Sequence, residues 1–347
     1  MKTNYSLFAL GVSFYKGSSS FVGSTRSLFV SNSIFRNSFG SFFSSCLSVD
    51  FHLRCSVFKN ILTSTIDVNN FVSRVSDTRI YEQSPTVEIN HTQFIACSSN
   101  NAGGAFIIND ENCDFKLMHC LFFQCYSRGI RDFNDRVGVS GGAFAFSGKS
   151  SEISFICVDK SISNGVGIAF YIQVLHEQMD NLNHSTICRT KTQNGKYCFC
   201  IEGGISTLVG VNSTSNDGKI ASGGCFGFKP LAYSGFIRFC QFSKNGGISV
   251  FQFQVASMED RGNKMCNFIN NTLNSDYTGV LCISSELRIK RFYFFGNNAT
   301  PVYTTSKMFL ISCHTDWSTF GAKNPDGGCK VGVTSFKEAK LIFMQVC

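Results

Sequence analysis

The chain has 347 residues, 43% of them hydrophobic and 16% charged, with 31 Gly, 4 Pro and a formal net charge of +8. So low a charged fraction argues against a disordered chain and allows one large core. The cationic residues are spread along the sequence, with one dense spot at Arg288, Lys290 and Arg291 and no basic block interleaved with aromatics. This argues against a nucleic-acid partner and leaves acidic glycans as the better electrostatic one.

In chain order, residues 1–20 admit two readings. Lys2, the apolar stretch 5–15 and Gly17-Ser18-Ser19-Ser20 follow the order of a signal peptide. Val12-Ser13-Phe14-Tyr15-Lys16-Gly17 equally resembles the units that follow and would make a first coil. Ser33-Ile34-Phe35-Arg36-Asn37 and Ser56-Val57-Phe58-Lys59-Asn60 read as short units, one residue fewer after the phenylalanine than the full form. That full form is Thr92-Gln93-Phe94-Ile95-Ala96-Cys97, followed by Gly103-Gly104-Ala105-Phe106. It returns as Cys120-Leu121-Phe122-Phe123-Gln124-Cys125, followed by Gly141-Gly142-Ala143-Phe144. Weaker copies occupy 157–162, 185–190 and 209–214, the last before Gly223-Gly224-Cys225-Phe226. Cys240-Gln241-Phe242-Ser243-Lys244-Asn245 runs into Gly246-Gly247. Cys266-Asn267-Phe268-Ile269-Asn270-Asn271 keeps the first half, and Phe294-Phe295-Gly296-Asn297 keeps the core of the unit. From Cys313 onward the repeat is expected to stop, so 313–347 reads as a C-terminal cap or the start of a further region, holding the lone Trp317 and the turn Asn324-Pro325-Asp326-Gly327-Gly328.

With Phe14, 35, 58, 94, 122, Asp159, Ile187, Val211, Phe242, 268 and 294 as anchors, ten intervals cover 280 residues, a mean of 28. Such a period marks a solenoid. Runs such as Ala105-Phe106-Ile107-Ile108 and Ile168-Ala169-Phe170-Tyr171-Ile172 are short, aromatic or β-branched, and bounded by Gly, Asn, Asp and Ser, which selects strands over helices. The expected fold is all-β, a parallel β-helix or pectin-lyase-like solenoid, with about eleven coils between 21 and 312. Paired glycines serve as corners. Inward phenylalanines, drawn from 37 in the chain, stack from coil to coil about 4.8 Å apart. The Asn that ends each Phe-x-x-Asn unit, at Asn245, Asn271 and Asn297, is expected to form an amide ladder.

The alternation of Gly-Gly-Ala with Phe-x-x-Asn resembles the repeat pair of polymorphic-membrane-protein-type surface proteins of chlamydiae and trichomonad protists. The Cys-ended unit and the Gly-Gly-Ala-Phe form lean toward the protist type. The resemblance covers roughly 31–311. It implies a right-handed parallel β-helix displayed at the cell surface or outside the cell, used in adhesion or as a variable antigen. Host or neighbouring-cell surface proteins are the implied partners, beside acidic glycans. No segment reads as a C-terminal β-barrel or reaches the ~18 apolar residues of a membrane helix. Membrane association is therefore expected to be indirect or through a segment outside this sequence.

Seventeen cysteines admit disulfides or ladders of small buried residues, and repeat positions such as Cys97 and Cys125 suit the second reading. His184, Cys188, Cys198 and Cys200 are the weak metal candidate; their spacing matches no common zinc motif, and no cofactor is expected. Three long intervals, 61–91, 126–139 and 176–184, read as loops leaving the scaffold, with Arg128, Arg131 and Arg136 as candidate ligand contacts. Sequons stand at Asn4, Asn90, Asn183, Asn212, Asn270 and Asn298.

Catalytic signatures fail one by one. Arg288-Ile289-Lys290 matches one triplet of polygalacturonase-like hydrolases, but no Asn-Thr-Asp, Asp-Asp or His-Gly accompanies it. Gly138-Val139-Ser140-Gly141-Gly142 fits Gly-x-Ser-x-Gly, yet a strand rather than a helix is expected after it. No catalytic residue is assigned. The leading expectation is a non-catalytic surface or secreted rod. The alternatives are a lyase or hydrolase acting on acidic glycans and an intracellular structural repeat protein.

Overall fold

A computed structural model describes residues 6–11, 13–15, 21–22, 27–39, 42–45, 50–69, 84–100, 102–128, 141–192, 197–218, 226–229, 235–247, 249–253, 264–273, 279–283, 287–299, 301–304, 308–316 and 330–332. The described residues form strands and no helix, arranged in parallel sheets of 16, 12, 7 and 3 strands. In the three larger sheets each strand pairs mainly with its equivalent one repeat earlier and later. This is the arrangement of a parallel β-solenoid: no single unit buries its apolar side, and each is closed by the one above and below. One continuous core cluster runs from Leu28 to Cys313.

The 12-stranded sheet carries the anchors. Phe14 pairs with Phe35, then in turn come Phe58, Phe94, Phe122, Val158, Ile187, Ser213, Phe242, Phe268, Phe294 and Thr315. Alternation on these three-residue strands turns the central side chain inward, so rings stack face to face. Phe35 and Phe58 lie 4.8 Å apart at 6°, Phe94 and Phe122 5.0 Å at 6°, and Phe268 and Phe294 5.1 Å at 11°.

Two anchors differ from the sequence reading. Val158, not Asp159, and Ser213, not Val211, occupy the central column. Val211 lies two residues earlier in a neighbouring buried position, equivalent to Cys240, so apolarity alone could not choose between them. Ser213 is tolerated inside because Asn216 Nδ2 donates to its hydroxyl at 3.0 Å. The repeat also continues past Cys313: Ser312 takes the same left-handed turn as its equivalents, and His314–Thr315 joins the 12-stranded sheet.

Among the described residues, the strands of this sheet from Ile34–Arg36 to Tyr293–Phe295 are each flanked by two left-handed residues. Three positions before the anchor stand Asn32, Cys55, His91, His119, Phe155, His184, Gly210, Phe239, Met265, Arg291 and Ser312; two after it stand Asn37, Asn60, Ala96, Gln124, Lys160, Arg189, Ser215, Lys244, Asn270 and Gly296. These are the corners. Left-handed backbone costs a non-glycine residue on the order of 1 kcal/mol, and the cost recurs in every coil because the bend is what returns the chain to its own sheet. The upstream units are therefore not short. Asn37 and Asn60, with φ of 54° and 55°, are corner residues, and Ser38 and Ile61 take the place of the terminal Asn.

The terminal asparagines do form a ladder. Asn216 N and Nδ2 both donate to Asn245 Oδ1, at 3.0 and 3.1 Å; Asn245 N donates to Asn271 Oδ1 at 2.9 Å; Asn271 N and Nδ2 donate to Asn297 Oδ1 at 3.0 and 2.9 Å. Each amide also reaches back one coil, Asn245 Nδ2 to Ser213 O and Asn271 Nδ2 to Phe242 O, both at 3.0 Å. Replacing Asn245 by Ala strands a buried N–H and a buried carbonyl, at about 1–3 kcal/mol each. The urea midpoint is expected to fall by the equivalent of roughly 2–4 kcal/mol. Asn245→Thr should lose less, since Thr190 fills the equivalent place with its hydroxyl on Asn216 Oδ1 at 2.9 Å.

The Gly103-Gly104 and Gly141-Gly142 pairs sit at equivalent corners, where Gly104 N donates to Gly141 O and Gly142 O at 3.2 and 3.1 Å. Gly246-Gly247 does not belong to that corner: it is a strand of the seven-stranded sheet, between Asp217–Gly218 and Thr272–Leu273. Of the three expected loops, 176–184 is no loop; it is the second half of the strand Phe170–Asn183, which continues across a register shift between Val174 and Met179. The interval 61–91 contributes the strands Ile66–Asn69 and Thr86–Asn90, and its middle, 70–83, lies outside the described residues. At the N-terminal end, Ser6–Leu10 and Ser13–Tyr15 pair in register with Ser27–Ser31 and Ile34–Arg36.

Candidate functional site

The residues singled out for metal binding are not brought together. His184 is an exposed corner residue whose ring stacks on Phe155 at 5.2 Å. Cys188 faces Asp159, with Sγ 3.5 Å from Oδ1. Cys198 belongs to the inner core, while Cys200, two residues on along the same strand edge, joins Tyr171 and Tyr197 in a separate cluster. The chain turns into the strand Phe199–Val209 here, so regular alternation does not apply: Cys198 and Phe199 pack in the core and Tyr197 and Cys200 in the separate cluster, while Cys188 ends the strand Thr186–Cys188 and His184 is the left-handed residue before it. Among the described residues no group of three or more His, Cys, Asp or Glu is placed to hold one ion. Arg128 ends the edge of the seven-stranded sheet, its N–H donating to Ser99 O at 2.9 Å, and its side chain is exposed. Arg131 and Arg136 lie outside the described residues.

Inside the core, most cysteines act as small apolar residues. Twelve of those described are free, and Cys157 is disulfide-bonded. Burial pushes the Cys120 thiol up to about 12 and, with Asp159 beside it, the Cys188 thiol up to about 11; burial and the neighbouring thiol push Cys125 and Cys266 up as well. Such thiols are protonated and poor nucleophiles at neutral pH.

Two carboxylates have unusual surroundings. Asp159 is held by Arg189 in a fork, Nε at 2.7 Å from Oδ1 and Nη2 at 2.5 Å from Oδ2, a bidentate geometry that pins one coil to the next. Asp180 is fully enclosed. It occupies an inward column that reads Phe51, Val87, Phe115, then Ser151, Asp180 and Ser206. The Ser151 and Ser206 hydroxyls donate to its two oxygens. Burial pushes its carboxyl up to about 7, against the lowering effect of those hydroxyls, from an ordinary value of ~3.9.

A folded-state pKa above the unfolded one means that stability is fully present below about pH 4, is lost as pH rises toward 7, and stays lost above. Asp180→Asn should therefore match the wild type near pH 4 and exceed it by up to ~4 kcal/mol at pH 8. Denaturant unfolding at both pH values checks this. Sealed from solvent, Asp180 has no access to a substrate and is a structural acid.

On the outside, the corner column three residues before each anchor presents His91, His119, Phe155, His184 and Phe239, all exposed. The first four rings form a continuous stack with centroid separations of 4.6, 4.9 and 5.2 Å. The sequence reading missed this column. Its signal was present, because a His or Phe stands three residues before the anchor in four consecutive units, but a bulky ring in left-handed backbone runs against local expectation. Of the sequons, Asn212 is buried at 3% exposure and closed to a glycan, whereas Asn270 and Asn298 are exposed.

No helix of the described residues is long and apolar enough to cross a membrane. No family model matches the chain, and no curated protein and no solved structure matches it significantly.

Proposed function

We propose that the chain is a non-catalytic scaffold of the polymorphic-membrane-protein-like repeat type, wound as a right-handed parallel β-helix and used at the cell surface or outside the cell for adhesion or antigenic display. The right hand follows from the strong preference of crossovers between parallel strands. Twelve strands in the anchor sheet favour about twelve windings over eleven. One observation carries the display reading: the two sides of that sheet obey different rules. The inward position is Phe in most coils. Its outward neighbour varies where it reaches solvent, running Ile34, Val57, Gln93, Leu121, Cys157, Gln241 and Tyr293, while the same place is closed over at Thr186, Asn212 and Asn267. A backbone specified from within leaves its outer surface free to vary, which suits a surface that partners or antibodies read. The partner is a host or neighbouring-cell surface protein or an acidic glycan. Antibody labelling of intact cells tests this, with signal expected before permeabilisation; staining that appears only after permeabilisation overturns it.

The free thiols favour a second reading, a structural repeat protein of a reducing compartment. Titrating thiols after denaturation under non-reducing conditions separates the two, since that reading expects nearly all seventeen cysteines to react.

A further inference from the structure

We propose that His91 and His119 form a surface site for one divalent transition-metal ion of the nickel, copper or zinc class. The two residues occupy the same corner position in adjacent coils, joined by the bond from His91 N to Met118 O at 3.0 Å. Both have left-handed backbone, φ 50° and 53°, and both are exposed. Their rings lie 4.6 Å apart and 21° from parallel. Among the described residues neither imidazole has a hydrogen-bond partner, so each has a ring nitrogen free to donate a lone pair.

Two nitrogens that each sit ~2.0–2.1 Å from one ion lie within about 4 Å of each other. Tilting two solvent-facing rings toward each other meets that condition without moving the backbone, which the corner holds rigid. Two imidazole ligands on a fixed backbone suit borderline divalent ions, with copper(II) the tightest and manganese(II) the weakest. Water completes the coordination, because the described residues place no third ligand at the same point.

The fold supplies its own controls. His184 stands in the same column, but the Phe155 ring separates it from His119. The His52 imidazole is engaged by Glu88 at 3.2 Å. Cys55, an exposed free thiol, stands one coil before His91 in the column.

Isothermal titration of the intact protein with nickel(II) tests the site, with copper(II) electron paramagnetic resonance reporting the nitrogen ligands. One equivalent is expected, with two nitrogens on copper. His91→Asn and His119→Asn, which keep a residue suited to left-handed backbone, should each weaken binding about tenfold or more. His184→Asn, His52→Asn and Cys55→Ser should leave it unchanged. Phe155→His should raise the stoichiometry to two, by creating a second adjacent pair with His184. Circular dichroism verifies that each variant keeps its strands. Absence of binding, binding that survives both His91→Asn and His119→Asn, or loss on Cys55→Ser overturns the proposal.

Discussion

Gly142→Ala is expected to prevent folding, or to cost more than about 4 kcal/mol in any protein that still folds. A Cβ at Gly142 would meet Ile168 O at 2.2 Å and Ile162 O at 2.8 Å, and one at Gly104 would meet Gly142 O at 2.2 Å and Tyr126 O at 2.6 Å. These neighbours are backbone atoms of the adjacent coil and of the seven-stranded sheet, so no side chain can rotate away. Relief requires separating two coils, which breaks the bonds from Gly142 N to Ile168 O and from Gly104 N to the Gly141 and Gly142 carbonyls. Left-handed strain is not the cause at either position; close approach is. Gly218→Ala is the matched control. Its added Cβ meets nothing nearer than Gly246 O at 3.7 Å, so yield and urea midpoint should stay near wild type. Soluble expression and denaturant unfolding of Gly142→Ala, Gly104→Ala and Gly218→Ala check the contrast.

Phe122→Ala is expected to cost roughly 3–5 kcal/mol. The ring has no exposure. It stacks on Phe94 at 5.0 Å and packs obliquely against Phe106 and Phe144 at 5.8 and 5.3 Å. Truncation leaves a void between two coils whose strand spacing is fixed by hydrogen bonds, so the site collapses poorly. Because stability in a solenoid resides in nearest-neighbour interfaces, Phe94→Ala and Phe122→Ala should be non-additive, the second costing less once the first is made. Phe155→Ala, at 52% exposure on the outer column, should cost only about 0.5–1.5 kcal/mol from lost ring stacking. Urea midpoints for the single and double variants give the comparison.

The strand pattern, the inward phenylalanines, the Gly-Gly-Ala corners and the Asn ladder were legible because each is dictated locally. A ring or an amide at a fixed point of the repeat reports that the backbone returns there. Register was less legible. Val211 and Ser213 both face inward, and only the pairing of Ser213 with Ile187 and Phe242 decides between them. Asn37 and Asn60 end what read as short units, yet their side chains serve the outer corner, where Asn60 Nδ2 donates to Asn37 Oδ1 at 2.9 Å. The candidate site was less legible still: His91 and His119 are 28 positions apart, and their shared place three residues before Phe94 and Phe122 becomes a contact only when those two anchors pair in register.

What the amino-acid order determined by itself is therefore the periodic interior: aromatic, small and amide side chains recur wherever a closed coil must fill its centre and satisfy its turns. What only the tertiary structure decided is the vertical alignment of those coils. Shifting one strand by a single residue exchanges its inner and outer faces, so the enclosed Asp180, the Asp159–Arg189 fork and the stacked corner histidines exist only once every coil has settled in register with the next.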